Sequence, residues 1–119
     1  MTVFYFTSTG NCLQIAKALG GNAYAIPKLL KQRILDFEDD RIGFVFPCFF
    51  FGVPKPVRRF VEQVRIRSDY VFAVMTYGNF SGGGIDQFRG IAGRAGIRLS
   101  YIDEIIMVDN YVPMFDMET

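Results

Sequence analysis

Short apolar runs alternate with amphipathic stretches along the chain, which predicts an α/β fold built on a parallel sheet. TVFYF, residues 2–6, reads as the first strand. A helix follows over 10–19, with Cys12, Ile15, Ala16 and Leu19 on one face and Gly20-Gly21 to stop it. A short second strand covers 22–26. The stretch 27–40 is only weakly helical and closes on EDD, so a reduced second helix is expected. RIGFVF, residues 41–46, makes the third strand. The next helix starts near Lys55, with Pro56 in its first turn and Val57, Phe60, Val61 and Val64 spaced as one apolar face. A fourth strand spans 70–76. A fourth helix over 83–95 buries Ile85, Phe88 and Ala92, and its Gly90 and Gly93 would let it approach the sheet closely. The fifth strand lies between Arg98 and Val108. DNYVPMFDMET then closes the chain, too short and too proline-broken for another regular helix, so a last helix is expected to be missing.

In an open parallel sheet the loops after the carboxyl ends of the strands share one edge, and ligands bind there where strand order reverses. Three such loops are chemically distinctive. The first, Thr7, Ser8, Thr9, Gly10, Asn11 and Cys12, sits at the amino end of the first helix. Its three hydroxyls and the unpaired amides of that helix end can envelop a phosphate without Lys or Arg. N-capping alone needs one hydroxyl. The second runs Pro47, Cys48, Phe49, Phe50, Phe51, Gly52 and on to Pro54. Three consecutive phenylalanines cannot all face inward, and an aromatic before a glycine suits a flat ring system. The third contains Thr76, Tyr77, Gly78, Asn79, Phe80 and Gly83. There Tyr77 or Phe80 can stack, and Asn79 can donate and accept toward a pyrimidine-type edge.

Length and composition narrow the field. The 119 residues suit a single domain spanning 1–119, and with half of them hydrophobic and 21% charged a packed core is expected. A formal charge of +1 argues against nucleic-acid binding through a basic face and against attraction to anionic membranes. No apolar stretch approaches the roughly 20 residues of a membrane span. The amino terminus lacks a basic region followed by a cleavage site, so a cytoplasmic location is expected. Histidine is absent and no Cys-x-x-Cys occurs, so redox chemistry would come from a bound organic cofactor. The two cysteines are expected to be buried thiols. Thirteen Phe and six Tyr should mostly fill the core.

TSTGN, placed after the first strand, resembles the phosphate loop of flavodoxins, Thr/Ser-x-Thr-Gly-Asn. FYFTSTGN, IGFVFPCFFFGVPKPVRRFVE, FAVMTYGN and DNYVPMFD together are similar to the short flavodoxin-like domain of ferredoxin-fused flavoproteins. The resemblance implies a doubly wound five-stranded parallel sheet in the order 2-1-3-4-5, with FMN at its carboxyl edge. It implies that residues 7–12 hold the phosphate, that Phe51 and Tyr77 lie near the isoalloxazine, and that Gly52 offers its peptide to N5. This sequence departs from the family pattern in three ways. Cys12 stands where a hydroxyl residue is usual, the net charge is near neutral, and the last helix and a ferredoxin segment are expected to be missing.

The implied function is electron transfer, with FMN cycling between oxidised, semiquinone and hydroquinone forms and no catalytic side chain required. Partners would be redox proteins, such as a ferredoxin or a flavin reductase. A sheet face left by the missing helix would be covered by a homodimer or a docked partner. Two other readings stay open: an FMN-dependent NAD(P)H:quinone reductase on the same fold, and a flavin-free anion-binding interaction module. A related possibility, the flavodoxin-like activator of ribonucleotide reductase, fits the phosphate and glycine loops less well.

Overall fold

The inner strands alternate between two apolar faces rather than between core and water. In the computed structural model, which describes residues 1–6, 11–48, 52–77 and 84–106 (backbone only at 11, 77 and 104–106), Val3 and Val45 point to one side and Phe4 and Phe44 to the other. All four are fully buried. A strand apolar on both faces belongs inside a sheet that is covered twice.

The described elements are β1 (Thr2–Tyr5), α1 (Asn11–Ala18), β2 (Asn22–Ala25), α2 (Ile26–Gln32), β3 (Asp36–Glu38), β4 (Arg41–Pro47), α3 (Lys55–Gln63), β5 (Arg65–Arg67), β6 (Tyr70–Tyr77), α4 (Gly84–Arg94) and β7 (Tyr101–Ile106). Five strands form one sheet in the order β2-β1-β4-β6-β7, every pair parallel. This is the doubly wound α/β architecture and strand order expected from the sequence. The chain builds outward from β1 to β2, then returns to lay β4 on the other side of β1. The order therefore reverses between β1 and β4.

Phe4, Phe44, Phe46, Ala73 and Met75 form the floor on one face. Leu29 of α2, Val57, Phe60 and Val61 of α3, and Phe88, Ile91 and Ala92 of α4 pack on them. The phenylalanines meet ring to ring: Phe4 and Phe60 at 4.8 Å, Phe44 and Phe88 at 5.7 Å, Phe46 and Phe88 at 4.8 Å. The opposite face joins Val3, Val45, Phe72 and Val74 to Cys12 and Ala16, and α1 is the helix that covers it among the described residues. Gly43 lies on this face in register with Phe72, and a Cβ there would run into three atoms of the Phe72 ring. Glycine leaves the room that the ring fills.

Several expectations are corrected. Leu19 is 36% exposed because α1 ends at Ala18 and the chain turns away at Gly20, whose φ is 83°. Gly90 and Gly93 do not face the sheet: a Cβ on Gly90 would meet only Arg94 Nη1 at 3.5 Å, and one on Gly93 nothing within 4 Å. The buried face of α4 is Gly84, Phe88, Ile91 and Ala92, with Ile85 half-buried. The stretch 27–40 is not simply a weak helix. α2 is stopped by Arg33 in the left-handed conformation, φ 57°, with the Ile34 N–H donating to Leu29 O at 3.0 Å. The chain then forms β3, which pairs in parallel with β5. Phe37 of β3 packs on Phe4 with ring centroids 4.7 Å apart. This ribbon covers core that the seven-residue α2 is too short to reach. The C-terminal stretch, where the last helix is expected to be missing, lies outside the described residues.

Candidate functional site

The carboxyl ends of β1, β4 and β6 lie side by side. The Phe6 N–H donates to Val45 O at 2.9 Å, carrying the β1–β4 ladder past the end of β1. Pro47 is in register with Thr76, and the Cys48 N–H donates to Thr76 O at 2.6 Å. Helix α1 begins at Asn11, which puts Cys12 in its first turn. The Cys12 Sγ lies 3.6 Å from Thr76 Oγ1. Thr76 thus binds two of the three segments at once, its carbonyl to the end of β4 and its hydroxyl to the start of α1.

Burial pushes the Cys12 thiol up to about 11, and the hydrogen bond to Thr76 offsets only part of that rise. The side chain is 1% exposed and stays protonated at neutral pH. The first turn of α1 therefore brings no negative charge against an anion at its amino end. Cys48 is also buried, and the two cysteines are not joined in a disulfide.

α4 enters against the same edge. A Cβ on Gly84 would run into Cys48 Sγ and stand 3.0 Å from Met75 Cε, so only glycine lets the helix begin there. Gly52, at the end of the second loop, has φ 105°, a conformation that favours glycine. The next N–H, of Val53, donates to Gln87 Oε1 at 2.8 Å, and the same oxygen occupies the place of a Gly52 Cβ. α3 then starts after Pro54, with Pro56 in its first turn.

Of the residues singled out from the sequence, Cys12, Pro47, Cys48, Gly52 and Thr76 are described in full and belong to the segments meeting at this edge. Asn11 and Tyr77 are placed there by their backbone. Thr7, Ser8, Thr9, Gly10, Phe49, Phe50, Phe51, Gly78, Asn79, Phe80 and Gly83 lie outside the described residues. Gln87 was not foreseen. A glutamine on the exposed side of an amphipathic helix carries no sequence signal, and its role is visible only once α4 lies beside Val53.

Elsewhere, a cavity of about 400 Å³ opens on the β3–β5 ribbon, lined by Asp36, Phe37, Glu38, Arg65 and Arg67. Its four charged residues are exposed and solvated, and the cavity is far less built than the strand-end cluster. Among the described residues no group of three or more His, Cys, Asp or Glu could hold a metal ion, and no helix is long and apolar enough to cross a membrane.

The fold is flavodoxin-like. The structure superposes on the two-electron reduced flavodoxin of Megasphaera elsdenii with a TM-score of 0.63 at 16% identity, covering 95% of this chain and 91% of that one. It is also similar to the Trp repressor binding protein of Bacillus subtilis, with a TM-score of 0.61 at 12% identity over 98% and 93% of the two chains. The Flv1 flavodiiron core of Synechocystis matches with a TM-score of 0.56 at 14% identity, over 95% of this chain but 32% of that one. No protein-family model matches the chain, and no curated protein matches it in sequence.

Proposed function

We propose that this chain binds FMN at the carboxyl edge of its sheet and serves as an electron carrier. The observation that carries the reading is the meeting of three segments at Thr76, beside the point where strand order reverses between β1 and β4. The donor set suits the cofactor. Thr7, Ser8 and Thr9 precede the amino end of α1 in sequence, and neutral hydroxyls and helix-end amides are fitting partners for a phosphate. The neutral Cys12 thiol adds no repulsion. Gly52, with no Cβ, leaves the room that the Gln87 carboxamide fills, which brings the end of the second loop up against α4 at this edge. Among the solved structures of similar fold are a flavodoxin and a flavodiiron core, which favours a flavin over other nucleotides.

Bound FMN would supply one- and two-electron transfer, and the protein would supply grip, orientation and shielding from water. The reading calls for no general acid or base, and redox proteins are its natural partners. Protein contacts would fall on the face that α1 covers, where Tyr70 and Tyr101 stand 39% and 50% exposed. Light scattering giving a mass of two chains supports a homodimer on that face; a mass of one chain overturns it.

The central test is titration of FMN with the purified protein. Saturable quenching of flavin fluorescence, weaker for riboflavin, which lacks the phosphate, supports the reading. Absence of saturable uptake overturns it. Steady-state NADPH oxidation with a quinone acceptor by the loaded protein would instead favour the reductase reading.

A further inference from the structure

A near-neutral total conceals how unevenly the surface is charged. The chain has thirteen Lys and Arg and twelve Asp and Glu. Eight of those cations, but two of those carboxylates, lie on α2, α3 and α4 or on Arg33, which caps α2. Helix α3 touches both α2 and α4, and all three pack on the same face of the sheet. Lys28 and Lys31 stand exposed on α2, and Lys55, Arg58 and Arg59 on α3. The β3–β5 ribbon beside this layer is balanced, Asp36 and Glu38 against Arg65 and Arg67. Five cations and ten carboxylates are left for the rest of the chain.

Helix stability does not explain this placement. Lys55 and Arg59 are four residues apart on the outward side of α3, and like charges at that spacing destabilise a helix. Lys55 also stands in the first turn, where the helix end already bears partial positive charge and no acid accompanies it. Among the described residues the one ion pair on the layer joins Arg58 Nε to Glu62 Oε2 at 3.3 Å. The layer therefore holds more positive charge than its own carboxylates neutralise.

The arrangement suits a compact anionic partner better than an extended one. A nucleic-acid duplex or an anionic membrane reaches past three short helices and meets Asp39, Asp40 and Asp69, which precede β4 and β6 at the amino edge of the sheet. Phe60 and Phe88, the aromatic residues of α3 and α4, are fully buried, so these helices present no ring on which a base could stack. A protein can cover the basic layer alone. Charges are felt over about 8 Å at physiological salt, so acids elsewhere on the chain are screened from it.

We propose that the outward side of α2 and α3, with Lys28, Lys31, Lys55, Arg58 and Arg59, is the docking surface for an acidic redox protein. That the partner is a redox protein rests on the FMN reading; that it is acidic and binds here rests on the charges. α4, whose first turn carries Asp86, is the margin of the surface. Lys55 is the first residue of α3 and follows the loop that leaves β4, so a partner seated on it lies beside the carboxyl edge of the sheet. This surface is on the opposite side of the sheet from α1.

Two measurements on the full, cofactor-free chain test this, with a strongly acidic ferredoxin as the probe. The chain has four lysines, Lys17 on α1 and Lys28, Lys31 and Lys55 on the layer. Carbodiimide, which joins a lysine amine directly to a carboxylate, should link the probe through Lys28, Lys31 or Lys55. Links at Lys17 or the amino terminus alone, or none at all, overturn the proposal. In stopped flow at low salt, Arg59→Glu should slow association about fivefold or more, while Lys17→Glu, an equal change in net charge, should alter it by less than about twofold. The difference should vanish near about 1 M salt, where screening acts over about 3 Å. Equal slowing by the two variants overturns the surface, since net charge alone then sets the rate. Tighter binding to a short DNA duplex or to phosphatidylglycerol vesicles, lost in Arg59→Glu, overturns the choice of a protein partner. Neither measurement needs FMN, so failure of the chain to take up the cofactor overturns the FMN reading and leaves the docking result to stand or fall by itself.

Discussion

The Cys12 thiol and the Thr76 hydroxyl stand 3.6 Å apart, joining the first turn of α1 to the carboxyl end of β6. The pair is buried, and it ties together two segments that are 64 residues apart in the chain.

The pair makes stability depend on alkaline pH. The folded thiol titrates at about 11 against an ordinary 9.0, because burial disfavours the thiolate. The unfolded chain then releases this proton first. The contribution is fully present below pH 9.0 and is lost as pH rises toward about 11. Unfolding free energies from urea titrations should fall with pH across this window by about 2–3 kcal/mol more in the unaltered chain than in Cys12→Ala. Equal slopes for the two proteins would show that the thiol is not held neutral.

Gly43→Ala should destabilise the fold by about 1–3 kcal/mol, since its Cβ would enter the space of the Phe72 ring. Phe72→Leu opens that space. The double variant should therefore lose less stability than the two single losses added, which a double-mutant cycle in urea measures. Simple additivity would mean that the ring and the glycine do not depend on each other.

Asp39 should govern acid stability. Thr2 Oγ1 donates to its Oδ2 at 2.8 Å, the amino-terminal ammonium lies 3.2 Å from the same oxygen, and the Asp40 N–H donates to its Oδ1 at 2.7 Å. The Thr2 hydroxyl first, then the ammonium and the Asp40 amide, hold the carboxyl below its usual 3.8. A depressed carboxyl stabilises the fold above its unfolded value, and that contribution disappears as pH falls through the lower folded one. Asp39→Asn should remove this component. Thermal midpoints of the two proteins should converge as pH drops below 3.8 and separate above it.

Charge at the strand ends should raise the flavin potential. PCFFFGVP and TYGNFSGGG contain no Asp or Glu, and the helices that follow begin with one cation, Lys55, and one acid, Asp86, in its first turn. A carboxylate about 10 Å from a reduced ring costs roughly 1–2 kcal/mol at an effective dielectric near 20. That is on the order of 60 mV for one electron. Spectroelectrochemical titration of the FMN-loaded protein should find the second electron uptake less negative than in strongly acidic flavodoxins; a value as low as theirs would refute this.

Much of the architecture was legible because burial on both faces writes itself into short stretches. IGFVF and VFAVM are continuous apolar runs that only inner parallel strands require, and Val57, Phe60 and Val61 mark one helix face, while Val64, expected on the same face, is buried as the extended residue that follows α3. TSTGN and the two glycine-aromatic loops were conspicuous because their composition makes poor sense as plain turns. DFE and RIR were not legible as strands. Each is three residues long, too short to show a period, and each exists as a strand only because the other lies beside it.

From the sequence alone came the five strands of the main sheet and the helices between them, the sheet edge that carries the distinctive loops, and the neutrality of those loops. These follow from local periodicity and from which residue types stand after which strand, and neither depends on distant contacts. Tertiary structure decided that Thr76 joins Cys12 to Cys48, that Phe72 fills the space over Gly43, and that Gln87 reaches back to Val53. Each is a contact between segments far apart in the chain, and packing creates it by bringing together surfaces whose own sequences record nothing of their partner.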